Sequence, residues 1–377
     1  MSGNESKRRL TVLQLLPALH AGGVERGTLE ISRYLVQQGH RSLVMSSAGG
    51  MLPQLLAEGG EHIDWPVGKK SLLTLRLLPR LRHFLREQKV DILHLRSRMP
   101  AWLGYLAWRS MPVQQRPRLV TTVHGPYTVN AYSAVMTKGE RVIAVSSFIH
   151  NYLAQNYPRL DMKRVQIIHR GVDAIEFPRH FQPSAAWLTE WQKTYPALSN
   201  RLLITLPARI TRWKGQQDFI QLIARLVKSG LPVHGLIIGN VDAKKTHFAQ
   251  ELQAQIATLN LINDISMIGH RNDLKEIMSI SSLVLSLSEK PEAFGRTIPE
   301  ALSLGILAIG YDHGGTGEIL RQWYPQGLTP VGDIDALEAR VRALLNNPTP
   351  VPAQTDFSLL GMQQQTLAVY QDLAQTA

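Results

Sequence analysis

Short apolar runs alternate with amphipathic segments along almost all of this chain, and that alternation admits few folds. It is the pattern of βαβ units, in which parallel strands are joined by helical crossovers. The spacing predicts strands near residues 10–16, 42–47, 91–96, 119–123, 141–145 and 165–168, then near 202–207, 233–238, 265–268, 282–287 and 306–310. Two complete doubly wound modules fit 377 residues better than one. Residues 171–200 are rich in Pro, Trp and polar side chains and carry no strand pattern, so the boundary falls there, with Gly171 to Pro183 as the linker. The expected division is 1–175, 176–355 and a final helix within 356–377, reached through the proline-punctuated stretch NNPTPVPAQT.

A hydrophobic fraction of 44% supports a large core and excludes intrinsic disorder as the main description. No uninterrupted apolar run of about 18 residues occurs, and the apolar stretch near the start is interrupted by Gln14 and broken by Pro17. The expectation is therefore neither a transmembrane span nor a signal peptide, and a cytoplasmic location. The absence of cysteine excludes disulfide scaffolds, thiolate zinc sites and cysteine nucleophiles together.

The net charge of +12 is unevenly placed. Residues 1–175 hold 24 Lys and Arg against 11 Asp and Glu, a net of +13, while residues 176–377 hold 17 against 18. Twelve of the basic residues lie within 69–118, beside only Glu87 and Asp91, a field that attracts polyanions. No zinc-finger, RRM or basic-zipper pattern accompanies it, which disfavours nucleic acid as a partner. Arg76, Leu77, Arg80, Leu81, Phe84 and Leu85 spell an amphipathic basic helix, and Trp102, Tyr105 and Trp108 stand among the arginines. An anionic membrane surface or a phosphate-bearing glycolipid fits this better, with the protein peripheral on the inner face of the membrane.

Three motifs carry chemistry. Gly22 and Gly23 stand at a strand-to-helix turn, where the backbone can approach a ligand and helix N–H groups face an anion; the same pair also suits a plain tight turn. LPARITRWKGQQDFI places Arg209 and Lys214 beyond the carboxyl end of a strand, ahead of a helix. Two cations there suit a diphosphate, or they form a solvated basic turn with Arg212. EKPEAFGRTIPEALSLG places Glu292 on a loop and Glu300 inside a helix begun near Thr297. Two carboxylates so spaced can accept from the hydroxyls of a sugar-rich ligand, or they are solvated and helix-capping acids. Asp333-Ile334-Asp335 matches a metal-binding D-x-D pattern but directly precedes ALEARVRALL, so a helix N-cap is expected and no metal site.

The E-x7-E element from Glu292 to Glu300, the R-x4-K element from Arg209 to Lys214, the Gly22-Gly23 turn and His124-Gly125 at a strand end together resemble the retaining, GT4-type nucleotide-sugar glycosyltransferases of GT-B fold. The similarity of order covers nearly the whole chain. It implies two Rossmann-like domains with a cleft between them, and a C-terminal helix crossing back to the first. It further implies that Arg209 and Lys214 neutralise the donor diphosphate, and that Glu292 faces the donor sugar while Glu300 holds the ribose. Gly22 and Gly23 would approach the phosphates, and His124 would sit near donor sugar and acceptor. The backbone of Ala293, Phe294, Gly295, Arg296 and Thr297 would add hydrogen bonds, and the loops at Gly239, Asn240 and Ile268 to His270 would flank the nucleobase. The implied function is transfer from a nucleotide diphosphate sugar, UDP-sugar favoured, to a glycan or lipid-linked acceptor, in cell-envelope polysaccharide or lipopolysaccharide core synthesis, with no further cofactor. A sugar epimerase of similar architecture and a basic polyanion-binding protein are the rival classes. Many relatives carry Gly-Phe-Gly-Leu where this chain has Ala293-Phe294-Gly295-Arg296; the extra cation leaves the donor sugar open, since Arg296 either pairs with an acidic group or points to solvent.

Overall fold

The computed structural model describes residues 8–20, 22–241, 246–353 and 356–375. The start of the opening segment and residues 354–355 of the connector lie outside the described residues. Up to Arg170, and again from Leu359, the chain belongs to one compact unit; Gly171–Ser358 form the other.

The first unit is a seven-stranded parallel sheet of β1 (Thr11–Ala18), β2 (Arg41–Ser47), β3 (Glu61–Asp64), β4 (Ile92–Leu95), β5 (Arg118–Val123), β6 (Arg141–Ala144) and β7 (Val165–Ile167). The strand order is β3-β2-β1-β4-β5-β6-β7. The order reverses between β1 and β4, where Leu13 lies opposite Leu43 on one side and Leu93 on the other, all three buried. Helices cover both faces of such a sheet, which is why its strands read as continuous apolar runs. Gln14 interrupts β1 and is completely buried, yet its amide is satisfied: its Oε1 accepts from Arg96 at 2.9 Å and its Nε2 donates to the Thr28 carbonyl at 3.2 Å.

The closing helix, Leu359–Gln375, packs in this unit. Leu359, Met362, Leu367, Tyr370 and Leu373 share one buried cluster with Leu10, Val12, Ile31, Leu35 and Ile92. Each such side chain contributes roughly 1.5–3 kcal/mol by leaving water. Gln363 adds a hydrogen bond from its Nε2 to the Glu30 carbonyl at 2.9 Å.

The second unit repeats the scheme with β8 (Leu202–Pro207), β9 (Val233–Ile238), β10 (Ile265–Met267), β11 (Leu283–Ser286), β12 (Ala308–Tyr311) and β13 (Leu328–Thr329), in the order β10-β9-β8-β11-β12-β13. Its reversal falls between β8 and β11. Gly171 to Pro183, expected as a linker, instead packs with this unit. Phe177 is buried in its core, the Phe177 carbonyl accepts from Ser303 at 2.7 Å, and the His180 N–H donates to the Leu304 carbonyl at 3.0 Å. Residues 185–194, read as strandless, form the helix Ala185–Thr194, capped by Ser184.

Candidate active site

In an open parallel sheet, ligands meet the carboxyl ends of the strands near the reversal point. In the second unit that point lies beyond β8 and β11, and two of the three sequence motifs, Arg209 to Lys214 and Glu292 to Glu300, belong to this unit. β8 ends at Pro207, and the chain turns through Arg209 and Lys214 into the helix Gln216–Lys228. Gly215 caps that helix at φ +74°, in the left-handed region, and a Cβ there would fall 2.0 Å from the Leu287 carbonyl oxygen. Glycine thus lets this turn press against the end of β11.

Lys214 and Glu292 form an ion pair, Nζ to Oε1 at 2.7 Å, with side chains only 13% and 21% exposed. The Ser288 hydroxyl donates to the same Glu292 oxygen, and Lys214 also lies 4.5 Å from the centre of the Trp213 ring. The Glu292 backbone is fixed by the Gly315 N–H, which donates to its carbonyl at 2.8 Å. A Cβ at Gly314 would crowd the same segment, 2.7 Å from the Glu292 carbonyl oxygen. The Arg209 guanidinium, by contrast, is exposed, with no side-chain partner among the described residues. Its carbonyl accepts from Gln216 Nε2 at 3.0 Å. One cation is therefore braced by a carboxylate, and the other is open to an incoming anion.

Glu300 lies in the first turn of the helix Thr297–Leu304 and is 7% exposed; its Oε1 is 3.3 Å from Arg296 Nε. Arg296 therefore pairs with Glu300, four residues further on. Gly295 takes φ +78°, and its absent side chain leaves room for Thr316 Oγ1. The Phe294 ring is buried against Phe357, 6.0 Å between centres, so only its backbone is available to a ligand. Gly239 allows the end of β9 to touch the chain leaving β8, since a Cβ would lie 2.0 Å from the Ala208 carbonyl oxygen. Ile268 packs against a cluster containing Trp191 and Ile277. Below it Trp187 and Trp191 stack at 5.1 Å, and Asp273 accepts from both Trp187 Nε1 and Arg271. The Arg271 guanidinium holds Asp273 below the usual carboxylate range. Asp333 caps the helix Ile334–Asn346, accepting from the Ala336 N–H at 2.9 Å.

The first unit carries the remaining candidates. Gly22 and Gly23 open the helix Gly23–Gln37, both exposed. His124 follows β5, and its Nδ1 accepts from Arg170 Nη2 at 2.8 Å. Its Nε2 is buried without a partner among the described residues. Burial, with Arg170 and Arg96 nearby, holds the imidazole well below its ordinary pKa, so the ring is neutral. Arg96 is itself 3% exposed. His94 bridges Tyr370 and Thr122, both at 2.6 Å, and burial likewise depresses its pKa. Arg96 and Arg170 are not legible in the sequence because their partners, Gln14 and His124, are far along the chain, and Ser288 is not because no local pattern marks its hydroxyl.

The basic helix is Leu77–Glu87, entered through a 3₁₀ turn at Leu72–Arg76. Its apolar side buries Leu81 and Leu85, while Arg76, Arg80 and Arg86 are exposed. The aromatic residues beyond it serve the fold: Trp102 donates to the Tyr132 carbonyl at 2.8 Å and Trp108 to that of Pro117 at 2.7 Å.

Residues 21–175 match the family described as Glycosyltransferase Family 4, and residues 189–358 match Glycosyl transferases group 1. Among curated proteins, N-acetyl-alpha-D-glucosaminyl L-malate synthase of Bacillus anthracis is 24% identical over 348 residues, 88% of this chain and 86% of that one. Among solved structures, a glycosyltransferase from Rickettsia africae superposes with a TM-score of 0.83 at 28% identity, over 98% of this chain and 100% of its own. Anabaena HepE in complex with UDP-glucose gives 0.80 at 20% identity, over 97% and 100%.

Proposed function

Because the chain belongs to the GT4-type glycosyltransferases of GT-B fold, we propose that it moves a sugar from a nucleotide diphosphate sugar, UDP-sugar favoured, to a glycan or lipid-linked acceptor with retention at the anomeric carbon. The observation that carries this reading is the arrangement beyond β8 and β11: Lys214 paired with Glu292, the open guanidinium of Arg209, and the nearly buried Glu300. The solved HepE complex with UDP-glucose supports the class of donor.

In retaining transfer without a covalent intermediate, the diphosphate leaves from the face that the acceptor hydroxyl attacks. The bond from the anomeric carbon to the diphosphate oxygen breaks, and the acceptor's proton ends on the departing phosphate. Stabilising the developing negative charge is the main task, and Arg209 and Lys214 supply it without a metal. Glu292 keeps Lys214 in place before the donor arrives and then accepts from hydroxyls of the donor sugar. Glu300 accepts from the ribose hydroxyls, with Arg296 holding its carboxylate.

The acceptor end is read from the first unit. Its basic surface suits a phosphate-bearing lipid or glycan, and this supports our reading of a step in cell-envelope polysaccharide or lipopolysaccharide core assembly, with the protein docked on the inner face of the membrane. Among the described residues no helix is long and apolar enough to cross a membrane. The test is product analysis by NMR, with UDP-sugars and with or without a phosphorylated glycolipid acceptor, in EDTA. Transfer with an α-linkage formed from an α-linked donor supports the reading; a free epimer, inversion, or activity restored only by manganese overturns it.

A further inference from the structure

Arg170 follows β7, is largely buried, and reaches across to the end of β5. A guanidinium can only donate, so the 2.8 Å contact between its Nη2 and His124 Nδ1 requires a lone pair on Nδ1. The neutral ring must then carry its proton on Nε2, the nitrogen buried without a protein partner among the described residues. The place for this guanidinium is made by a third element. Gly27 lies inside the helix Gly23–Gln37, where glycine costs about 1 kcal/mol relative to alanine. A Cβ at Gly27 would fall 1.5 Å from Arg170 Nη1 and 2.7 Å from its Cζ. The glycine is thus explained by the side chain that lies against it.

We propose that Arg170 is a positioning residue for His124: seated on Gly27 and donating to Nδ1, it fixes the tautomer in which His124 offers an Nε2–H donor to an oxygen of the bound substrate. This rests on the reading that His124 serves the sugar-transfer site. The other groups that set the ring's charge are Arg96 and His94, and the Tyr127 hydroxyl accepts from the His124 backbone N–H at 3.2 Å. The positive charge of Arg170 opposes protonation of the ring, so the donor tautomer persists through neutral pH.

The experiment is ¹⁵N NMR of the histidine rings in the full-length protein between pH 5.5 and 8, for the unaltered chain, Arg170→Met, Arg170→Lys and Gly27→Ala. The expected spectrum of the unaltered chain has His124 protonated on Nε2 only and unchanged over this range. Arg170→Met and Gly27→Ala should both give a mixture of tautomers and a ring that begins to titrate, with turnover at pH 7 lower by about 10- to 100-fold. Arg170→Lys, which keeps a donor, should preserve the tautomer. A proton on Nδ1 in the unaltered chain, or an unchanged spectrum in both disruptive variants, overturns the proposal. The ring spectrum is read without substrate, so a protein that proves not to transfer sugar leaves that outcome intact.

Discussion

Arg209 and Lys214 have the same proposed task but different surroundings, and single substitutions should separate the two. Replacing either with Ala removes one preorganised cation and should lower turnover about 100-fold or more. Their effects on stability should differ. Lys214→Ala leaves the largely buried Glu292 carboxylate with the Ser288 hydroxyl as its one side-chain partner among the described residues, a loss of about 1–3 kcal/mol, whereas the exposed Arg209 should change stability by no more than about 0.5 kcal/mol. Urea unfolding of the two variants checks this; equal stabilities would mean the ion pair contributes nothing. Both cations were legible from sequence because they stand between a recognisable strand and the glycine that opens a helix. Ser288 and Arg170 were not. Their partners are 4 and 46 residues away, at Glu292 and His124, and the longer pairing follows from the order of strands in the sheet.

At the level of elements, strands β1, β2 and β4 to β12 fall near their expected places because each follows the apolar pattern. β3, Glu61–Asp64, and the two-residue β13 escaped notice: both are edge strands, and β3 is a charged segment of which half is exposed. Two devices inside elements are testable. At Gly215 an alanine must adopt φ +74° and clash with backbone at Leu287, so Gly215→Ala should destabilise the second unit by more than 2 kcal/mol, on the order of backbone strain plus overpacking. An unchanged melting point would show that the turn relaxes freely. His234 on β9 contacts Ser266 Oγ on β10 at 2.9 Å, and burial, with Arg201 nearby, lowers its pKa to about 4. The unfolded chain, near 6.5, binds more protons between these values. Stability is therefore complete above about pH 6.5 and falls as pH drops towards 4, by about 3 kcal/mol for this residue. His234→Gln should flatten that part of the acid slope in urea titrations at pH 7 and pH 5; an identical slope would remove the burial argument.

For the molecule as a whole, the doubly wound organisation was readable from alternation alone, while the start of the second unit was not. Gly171 to Pro183 looks like a linker, yet Phe177 anchors it in the second core, a role that depends on apolar neighbours far along the chain. The charge asymmetry of +13 against −1 also belongs to this scale. If the basic face meets an anionic membrane, each nearby Lys or Arg contributes roughly 1 kcal/mol, screened over about 8 Å at physiological salt. Changing Arg76, Arg80, Arg82 and Arg86 together to Gln should weaken co-sedimentation with anionic vesicles at low salt and leave nucleotide binding intact. Salt-insensitive binding, or none by the unaltered protein, would leave only a soluble acidic acceptor. The proposed donor site in the second unit holds a nucleotide diphosphate through Glu300 and its sugar through Glu292. Calorimetric titration of UDP into the whole chain is the decisive experiment. The expected result is binding that weakens about 10- to 100-fold in Glu300→Ala and stays within about twofold in Glu292→Ala. Equal losses in the two variants, or no binding of any nucleoside diphosphate by the unaltered protein, would contradict it.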